Sequence, residues 1–342
     1  MITTFGEIML RISPKDVGER ILQATDFEIR PGGSESNLAI ALANLGIKSS
    51  VVTTLPDNPL GEKVLRQLSL EGVNTHFIKR SGNRMGMYWT ENGTGPRNSF
   101  VIYDREHSTF SVANYADFDW EVIMEQTKWF HFSGISPAVS VGITQLLQKL
   151  VSIISCPYSV DLNYRNKLWN WTNKDPVKIK EVMTGLCSKA TLLAGNESDF
   201  QNIFGYTASS NNEDQKYTSI AKQCFSNFTQ LKFIAISNRV AHSANHNDWS
   251  GYLFVKGDKQ FCYRGLTYKL GNIQDRVGTG DSFSAGIIYG LLHQHEMTWQ
   301  QIIDFAVTLG ALNHTTKGDA SNFSKEEVVN AMKSKGSGRI LR

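Results

Sequence analysis

Short β-rich runs alternate with helical patterns along almost the whole chain, and this alternation constrains the fold more than any other feature. The predicted strands are residues 2–5, 50–55, 129–133, 158–162, 190–194 and 233–237. The predicted helices are residues 35–45, 60–71, 139–154, 177–186, 217–225 and 299–313. Strands joined through helices pair in parallel, because the crossover returns the chain to the same edge of the sheet. The pattern therefore predicts an α/β fold with a mostly parallel sheet and helices on both faces.

Composition narrows the class of protein. The chain has 342 residues, of which 41% are hydrophobic, so it can bury a large core. A net charge of +3 argues against a nucleic-acid partner or a bulk membrane surface. The four cysteines form no C-x-x-C pair, and the N-terminal segment lacks the basic and apolar regions of a signal peptide. We therefore expect reduced thiols in a cytoplasmic protein.

One zone breaks the alternation of strands and helices. Residues 84–112 contain two strand-like runs around a glycine-bearing turn, with no helix between them, and residues 11–32 also look extended. Together they could form a small sheet that caps a site, although a simple surface hairpin fits the pattern equally well. We accordingly predict an α/β core of residues 1–10, 33–83 and 113–335, with a β-lid of residues 11–32 and 84–112.

A glycine-bearing loop runs into a helix between Asp275 and Gly286. Gly278 and Gly280 allow a sharp turn and a close approach to a ligand. The first amides of the helix have no intrahelical partner and carry partial positive charge, so they make an anion site. Asp281 at its rim could take a proton from a hydroxyl while the site stabilises a transferring phosphoryl group. The alternative is that Asp281 only caps the helix.

The segment from Asp275 to Gly286 resembles the C-terminal signature of the ribokinase-like (PfkB-type) carbohydrate kinases, with Arg276 and Thr279 in place of the commoner Thr and Ala. The resemblance implies a three-layer α/β/α fold with a mostly parallel central sheet and a small β-sheet lid. It also implies that Asp281 is the catalytic base and that the amides of Gly278, Thr279 and Gly280 form the anion hole.

A second segment matches the N-terminal signature of the same family. Gly32, Gly33 and Asn37 fall in place just before and within a predicted helix, and in the family this element holds the sugar. The alternative is a loop whose Ser34 or Ser36 caps that helix.

Two further segments resemble the branch that phosphorylates 2-keto-3-deoxygluconate. The run from Asp161 to Trp169 reads D-x-N-x-R-x-x-L-W, and Tyr103 and Arg105 match a Y-x-R motif in the lid. Arg105 and Arg165 then suggest a substrate carboxylate, since a guanidinium matches a carboxylate in two hydrogen bonds. Arg165 could instead contact a nucleotide phosphate. The residues expected at the sugar are Gly32, Gly33, Asn37, Tyr88, Tyr103, Arg105, Arg165 and Asp281.

The nucleotide side is less distinct. Asp199 stands where the family's N-x-x-E motif has glutamate and could serve Mg²⁺ through water, with Glu197 as the alternative and helix capping as the plain interpretation. His242 and His246 would suggest a metal only if they lay on a helix. The residues that the resemblance places at ATP are Asn163, Arg165, Asn196, Ser237, Gly278, Gly280 and Gly318.

These observations predict an ATP-dependent sugar-acid kinase that uses Mg²⁺ and converts 2-keto-3-deoxygluconate to its 6-phosphate. A monovalent cation is an open additional ligand, and the lid suggests a homodimer or a higher homo-oligomer. The first alternative is a kinase for a neutral sugar such as fructose or ribose. The second alternative is a catalytically silent sugar-binding protein. The residues that would support it are those that differ from the family's motifs, Arg276, Thr279 and Asp199.

Overall fold

The computed structural model describes residues 1–207, 210 and 212–334, so the predicted end of the core at residue 335 lies outside the described residues. The strands are β1 (Ile2–Phe5), β2 (Met9–Pro14), β3 (Phe27–Gly32), β4 (Ser49–Leu55), β5 (Ile78–Arg80), β6 (Met87–Glu91), β7 (Phe100–Asp104), β8 (Trp129–Ser133), β9 (Tyr158–Asp161), β10 (Leu192–Asn196), β11 (Phe233–Ser243), β12 (His246–Val255), β13 (Cys262–Arg264) and β14 (Tyr268–Gly271). The α-helices are α1 (Ser34–Asn44), α2 (Pro59–Leu70), α3 (Trp120–Gln126), α4 (Ile135–Val139), α5 (Val141–Ile153), α6 (Pro176–Cys187), α7 (Glu197–Phe204), α8 (Glu213–Asn227), α9 (Thr279–Leu292), α10 (Trp299–Asn313) and α11 (Lys325–Ser334). Within the described ranges, no helix combines the length and the apolar character that crossing a membrane requires.

The larger sheet has the strand order β13-β12-β11-β10-β9-β8-β1-β4-β5, with β14 beside β12. Every pair from β11 through β10, β9, β8, β1, β4 and β5 is parallel. Strands β12, β13 and β14 add an antiparallel extension at one edge. The predicted mostly parallel sheet is confirmed, and its parallel part consists of the strands that helices connect.

Both faces of this sheet are buried. Leu193 and Ile234 pack into a cluster with residues of α5 to α8 on one face. Their strand neighbours Leu192 and Ala235 pack into a second cluster with α1, α9 and α10 on the other face. Consecutive strand residues point to opposite faces, so helices cover the sheet on both sides. The predicted three-layer α/β/α class is confirmed.

A separate four-stranded sheet has the order β3-β2-β6-β7. β6 and β7 form the predicted antiparallel hairpin, and β2 pairs in parallel with β6 and antiparallel with β3. The hairpin is therefore one half of a larger sheet rather than an isolated surface feature. Tyr88 and Tyr103 face each other across β6 and β7, as do Trp89 and Ile102 on the opposite side of the sheet.

Several predicted boundaries differ from the structure, and two of the differences have a clear local cause. The helix predicted over residues 139–154 is interrupted at Ser140, whose backbone is extended and whose hydroxyl accepts a hydrogen bond from the Ile143 amide at 3.2 Å. A serine that caps a new helix ends the previous one, so α4 and α5 are separate. β11 was expected to end at Ser237 but continues to Ser243, because its pairing with β12 persists that far.

Candidate active site

The carboxyl ends of β9, β10 and β11, the first turns of α1 and α9, and the inner face of the small sheet enclose a cavity of about 630 Å³. In parallel α/β sheets, ligands bind at this edge. The predicted site residues that line the cavity are Gly33, Asn37, Tyr88, Tyr103, Arg105, Asn163, Arg165, Asn196, Glu197, Asp199, Ser237, Gly278, Thr279, Gly280 and Asp281. α1 packs against β8, β1 and β4, which lie on one side of β9 in the strand order, whereas β10 and β11 lie on the other side.

The first turn of α9 opens into this cavity. Gly278 is the residue before the helix, its φ is 78°, and no side chain caps the helix there. A Cβ at Gly278 would overlap the carbonyl oxygen of Asp319, whereas nothing lies within 4 Å of a Cβ at Gly280. Asp319 therefore packs against the loop at Gly278, whereas the loop is open toward the cavity at Gly280. The first amides of this turn have no partner within the helix, so the turn remains a candidate anion site.

The Asp281 carboxylate lies at the rim of that anion site and is buried. It accepts hydrogen bonds from the Ser34 hydroxyl at 2.6 Å and from Asn37 Nδ2 at 2.7 Å. The capping position belongs to Gly278, so the alternative that Asp281 only caps α9 was wrong. Asp281 instead joins the first turn of α9 to the first turn of α1.

Burial in the cavity wall raises the pKa of several carboxylates, among them Asp281 and Asp161. Burial raises the pKa of Asp281 to about 6, although hydrogen bonds from Ser34 and Asn37 oppose the shift. Burial raises the pKa of Asp161 to about 7, and the charges of Asp281 and Asp199 add to it. A carboxylate with a pKa near 6 is a stronger base than an ordinary Asp and is still mostly ionised at neutral pH.

Ser34 is a site residue that the sequence offered only as a helix cap. The residue before α1 is Gly33, and the helix has no side-chain cap. Ser34 donates to Asp281 and accepts a hydrogen bond from Asn163 Nδ2 at 3.1 Å, so the starts of α1 and α9 and the loop after β9 meet at its hydroxyl. A serine beside glycines reads locally as a cap, and only the fold brings Asp281 to it.

The expected metal residue, Asp199, is buried at the cavity wall. Its carboxylate accepts hydrogen bonds from the amides of Tyr164 at 2.9 Å and Asn196 at 2.8 Å, and Asn196 Oδ1 accepts one from the Asp199 amide at 3.2 Å. The plain interpretation of this segment as a capped helix start is therefore correct. Glu197 is paired with Lys216 at 2.5 Å.

Two predicted glycines do not line the cavity. A Cβ at Gly32 would overlap the Tyr88 hydroxyl, so Gly32 lies behind that side chain rather than against a ligand. The Gly318 amide donates to Asp275 Oδ2 at 3.3 Å, and its nearest side chain is that of Arg30. Tyr88 and Arg30 occupy the space beside Gly32 and Gly318, so a ligand in the cavity would not contact either glycine.

The histidine pair that could have suggested a metal does not lie on a helix. His242 belongs to β11 and His246 begins β12. His242 Nε2 lies 3.0 Å from Asp248 Oδ2. No group of three or more metal-ligating side chains occurs among residues 1–207, 210 and 212–334.

A buried ion-pair network that the sequence did not predict joins the small sheet to the loop before α9 and the segment after α10. Arg11 on β2 pairs with Asp275 at 2.6 Å and with Asp319 at 2.5 Å, and the Tyr88 hydroxyl donates to Asp319. Burial raises the pKa of Tyr88 well above its ordinary value, and the nearby Asp319 adds to this. Arg11 and Asp319 are 308 residues apart, so no local pattern could have revealed the pair.

Arg105, predicted to recognise a substrate carboxylate, lines the cavity but already has a partner. Its Nε donates to Glu7 Oε2 at 2.8 Å, and its Nη2 pairs with the same oxygen. Its guanidinium carbon lies 5.6 Å from the centre of the Tyr103 ring. Glu7, on the loop after β1, is thus a second residue that the sequence did not single out.

Comparison with known proteins identifies the fold and the family. The profile of the pfkB family carbohydrate kinases matches residues 1–326. A 2-dehydro-3-deoxygalactonokinase of Haloferax volcanii is 27% identical over 97% of this chain and 96% of its own. The crystal structure of 2-dehydro-3-deoxygluconokinase from Thermotoga maritima has a TM-score of 0.90 at 37% identity, covering 97% of this chain and 98% of that one.

A more distant structure, a sugar kinase from Pyrococcus horikoshii in complex with ATP, has a TM-score of 0.74 at 18% identity, with 98% of this chain and 99% of that one covered. At that identity it shows the shared fold alone. The family match, the ribokinase-like architecture and the glycine-bearing loop at the start of α9 agree with one another. This chain belongs to the pfkB family of carbohydrate kinases and is a phosphotransferase.

Proposed function

We propose that this protein is an ATP-dependent kinase for a sugar acid, and that its substrate is 2-keto-3-deoxygluconate, converted to the 6-phosphate. The names of the Haloferax and Thermotoga relatives support a 2-keto-3-deoxy sugar acid as the class of acceptor. The single observation that carries the proposal is the placement of Asp281. Its buried carboxylate stands at the open first turn of α9, where a transferring phosphoryl group would be stabilised.

In the proposed reaction, Asp281 takes the proton of the primary hydroxyl as phosphoryl transfer proceeds. Ser34 and Asn37 hold the carboxylate in place, and its oxygens keep lone pairs for the substrate hydroxyl. The amides of Gly278 to Asp281 stabilise the developing negative charge. Positioning and charge stabilisation supply most of the barrier reduction in phosphoryl transfer, so a base of moderate strength suffices.

The chemistry of the donor set fits magnesium. Mg²⁺ prefers oxygen ligands and keeps several of its waters, and the cavity wall near β9 and β10 presents the Asp161 and Asp199 carboxylates. Asp199 would hold the ion through water, since its oxygens already accept two amides. When bound, the ion neutralises phosphate charge. Glu197 is the weaker candidate because Lys216 pairs with it.

The acid end of the substrate would lie beneath the small sheet, where Tyr88, Tyr103 and Arg105 line the cavity. Arg165 lies at the end of β9 and is exposed, so it could serve either the substrate carboxylate or the donor. The pairing of Arg105 with Glu7 favours a second candidate function, a kinase for a neutral sugar. A guanidinium already neutralised by a carboxylate attracts a substrate anion less strongly.

We propose that the small sheet acts as a lid and also as a homodimer interface. Ile29, Ile12, Trp89 and Ile102 form one row across its four strands on the face away from the cavity. Ile29 is 44% exposed and Ile102 50% exposed, so much of this row is covered by nothing in the described chain. Light scattering should give a dimer for wild type and a monomer for Ile102→Asp. A monomeric wild type would refute the interface. The control is Leu70→Asp, which changes an exposed side chain on α2, outside the small sheet.

We also propose that the protein is cytoplasmic. Its four cysteines are free thiols, and thiols stay reduced in the cytoplasm.

Turnover tests the proposed function directly. The purified protein is assayed for ADP release with ATP, Mg²⁺ and a panel containing 2-keto-3-deoxygluconate, 2-keto-3-deoxygalactonate, fructose and ribose. We expect kcat/KM to be highest for a 2-keto-3-deoxy sugar acid. A preference for fructose or ribose would establish the neutral-sugar alternative, and no sugar-dependent ADP release would establish the silent binding protein. Exchanging potassium for choline in the same assay tests for a monovalent cation.

A further inference from the structure

The β11–β12 hairpin carries an arginine that nothing in the described chain satisfies. Arg239 lies on β11, two residues beyond Ser237, where β11 continues beside β12. Its side chain lines the cavity, where neighbouring residues remove part of its hydration and the rest stays open to solvent. Across residues 1–207, 210 and 212–334, the Arg239 guanidinium makes no hydrogen bond or ion pair.

A second arginine approaches from the loop before α9. Arg276 directly follows Asp275 and lines the same cavity. Its Nη2 donates to the Ser243 carbonyl at 2.5 Å and to Asn247 Oδ1 at 3.3 Å, so the hairpin holds the guanidinium in position. Its Nε is buried without a hydrogen-bond partner in the described part of the protein. Neither Ser243 nor Asn247 carries a charge that would neutralise Arg276.

These two arginines and Arg165 repel one another. Loss of hydration, and then the charge of Arg165, lowers the pKa of Arg239 from its ordinary value. Loss of hydration, and then the charge of Arg239, does the same to Arg276. Three positive charges that share one end of a cavity destabilise the empty protein, and an anion with several charges would remove that cost.

The position of the pair indicates which ligand supplies that anion. Arg239 and Arg276 lie at the β11 end of the cavity, whereas Asn37 and the lid tyrosines lie at the α1 end. The first turn of α9 bonds to α1 through Asp281, and Arg276 just before it bonds to Ser243 of β11, so this turn stands between the two ends. A group transferred at that turn would have its acceptor on the α1 side and its donor on the β11 side.

We propose that Arg239 and Arg276 bind the non-transferred phosphates of a nucleoside triphosphate donor, a role that rests on the proposed kinase function. Guanidinium groups bind phosphate through paired, charge-assisted hydrogen bonds. The site therefore selects donors by the charge of their phosphate chain, and a triphosphate binds more tightly than a diphosphate.

The test measures binding as well as turnover, using Arg239→Met, Arg276→Met and the double variant. Isothermal titration with inorganic tripolyphosphate should show an affinity about 10- to 100-fold weaker for each single variant. KM for ATP should rise by a similar factor while KM for the sugar acid changes little, and the salt dependence of KM for ATP should become shallower. Lys222→Met, an exposed cation on α8 outside the cavity, is the control and should match wild type.

Wild-type tripolyphosphate affinity in both single variants would overturn the proposal. So would a rise in KM for the sugar acid with no change in KM for ATP, which would assign the arginines to the acceptor. If tripolyphosphate binds wild type and not the variants while no sugar is phosphorylated, the anion site stands and the proposed function fails. If sugar acids are phosphorylated and KM for ATP is unchanged in the variants, only the assignment of the arginines fails.

Discussion

Replacing Gly278 by alanine should disrupt both the stability of the protein and its anion site, because two separate constraints require glycine there. The φ of Gly278 is 78°, a conformation that costs an L-residue about 1–2 kcal/mol. The added Cβ would also lie 2.6 Å from the carbonyl carbon of Asp319 and closer still to its oxygen. Forcing such an overlap adds about 1–3 kcal/mol, so we expect Gly278→Ala to lower the free energy of unfolding by about 2–5 kcal/mol in total.

Two matched variants separate these constraints. Gly46 has a φ of 84° with nothing within 4 Å of its Cβ, so Gly46→Ala carries the backbone strain alone and should keep full turnover. Gly280 has no positive φ and also has open space, so Gly280→Ala should fold at least as stably as wild type. Its methyl group would enter the space expected for the phosphoryl group, and turnover should still fall.

Urea unfolding followed by tryptophan fluorescence gives the stabilities, and the ADP-release assay gives kcat. A displaced anion hole typically costs about 100- to 1,000-fold in kcat, and we expect a loss of that size for Gly278→Ala. If Gly278→Ala loses no more stability than Gly46→Ala and retains turnover, the packed loop does not shape the site. If Gly280→Ala turns over as wild type, the open first turn of α9 is not where phosphoryl transfer occurs.

Three further predictions concern the charges around the site. Because burial raises the pKa of Asp281 to about 6, kcat/KM should fall as the pH drops through about 6. At pH 7.5 the buried Asp281 carboxylate is charged and destabilises the fold, so Asp281→Asn should increase the free energy of unfolding there. At pH 4 the carboxyl group is protonated in the folded protein, and the increase should be absent. Ser34→Ala removes a hydrogen-bond donor to the Asp281 carboxylate, so the acid limb of the kcat/KM profile should move to higher pH. The control Ser36→Ala loses only a hydrogen bond to the Gly33 carbonyl and should leave the limb in place. An unmoved limb in Ser34→Ala would show that Ser34 does not set the pKa of Asp281. Arg11→Met leaves two buried carboxylates without their cation and should lower the free energy of unfolding by about 3–5 kcal/mol, measured with urea at pH 7.5. The control Arg66→Met breaks an exposed ion pair and should lower it by less than about 1 kcal/mol. Equal losses would show that the buried network does not stabilise the fold.

The parts of the fold that follow from local chemistry were predictable from the sequence. The strand at residues 2–5 and the helix at residues 299–313 agree with β1 and α10 to the residue, because hydrophobic runs and capping residues mark them locally. The loop before α9 was predictable for the same reason. Gly278 reports a backbone requirement, a positive φ, that no other residue meets as easily.

What the sequence did not reveal are contacts between distant segments. Ser34 and Asp281 are 247 residues apart, and each alone has an ordinary local explanation as a cap. Arg11 is the first residue of the predicted lid, and it lies on the inner strand β2, where it pairs with the distant Asp275 and Asp319. Arg239 was hidden because β11 was predicted to end at Ser237. Convergence of polar groups in space depends on topology, which a local pattern does not encode.

The central claim is that Asp281 removes the proton of the acceptor hydroxyl. A single-turnover measurement of Asp281→Asn with saturating ATP, Mg²⁺ and 2-keto-3-deoxygluconate tests it most directly, with wild type and titrations of both ligands run in parallel. We predict that both ligands still bind, while the rate of phosphoryl transfer falls by a factor of about 100 to 10,000. A transfer rate within a few fold of wild type would contradict the claim and remove Asp281 from the mechanism.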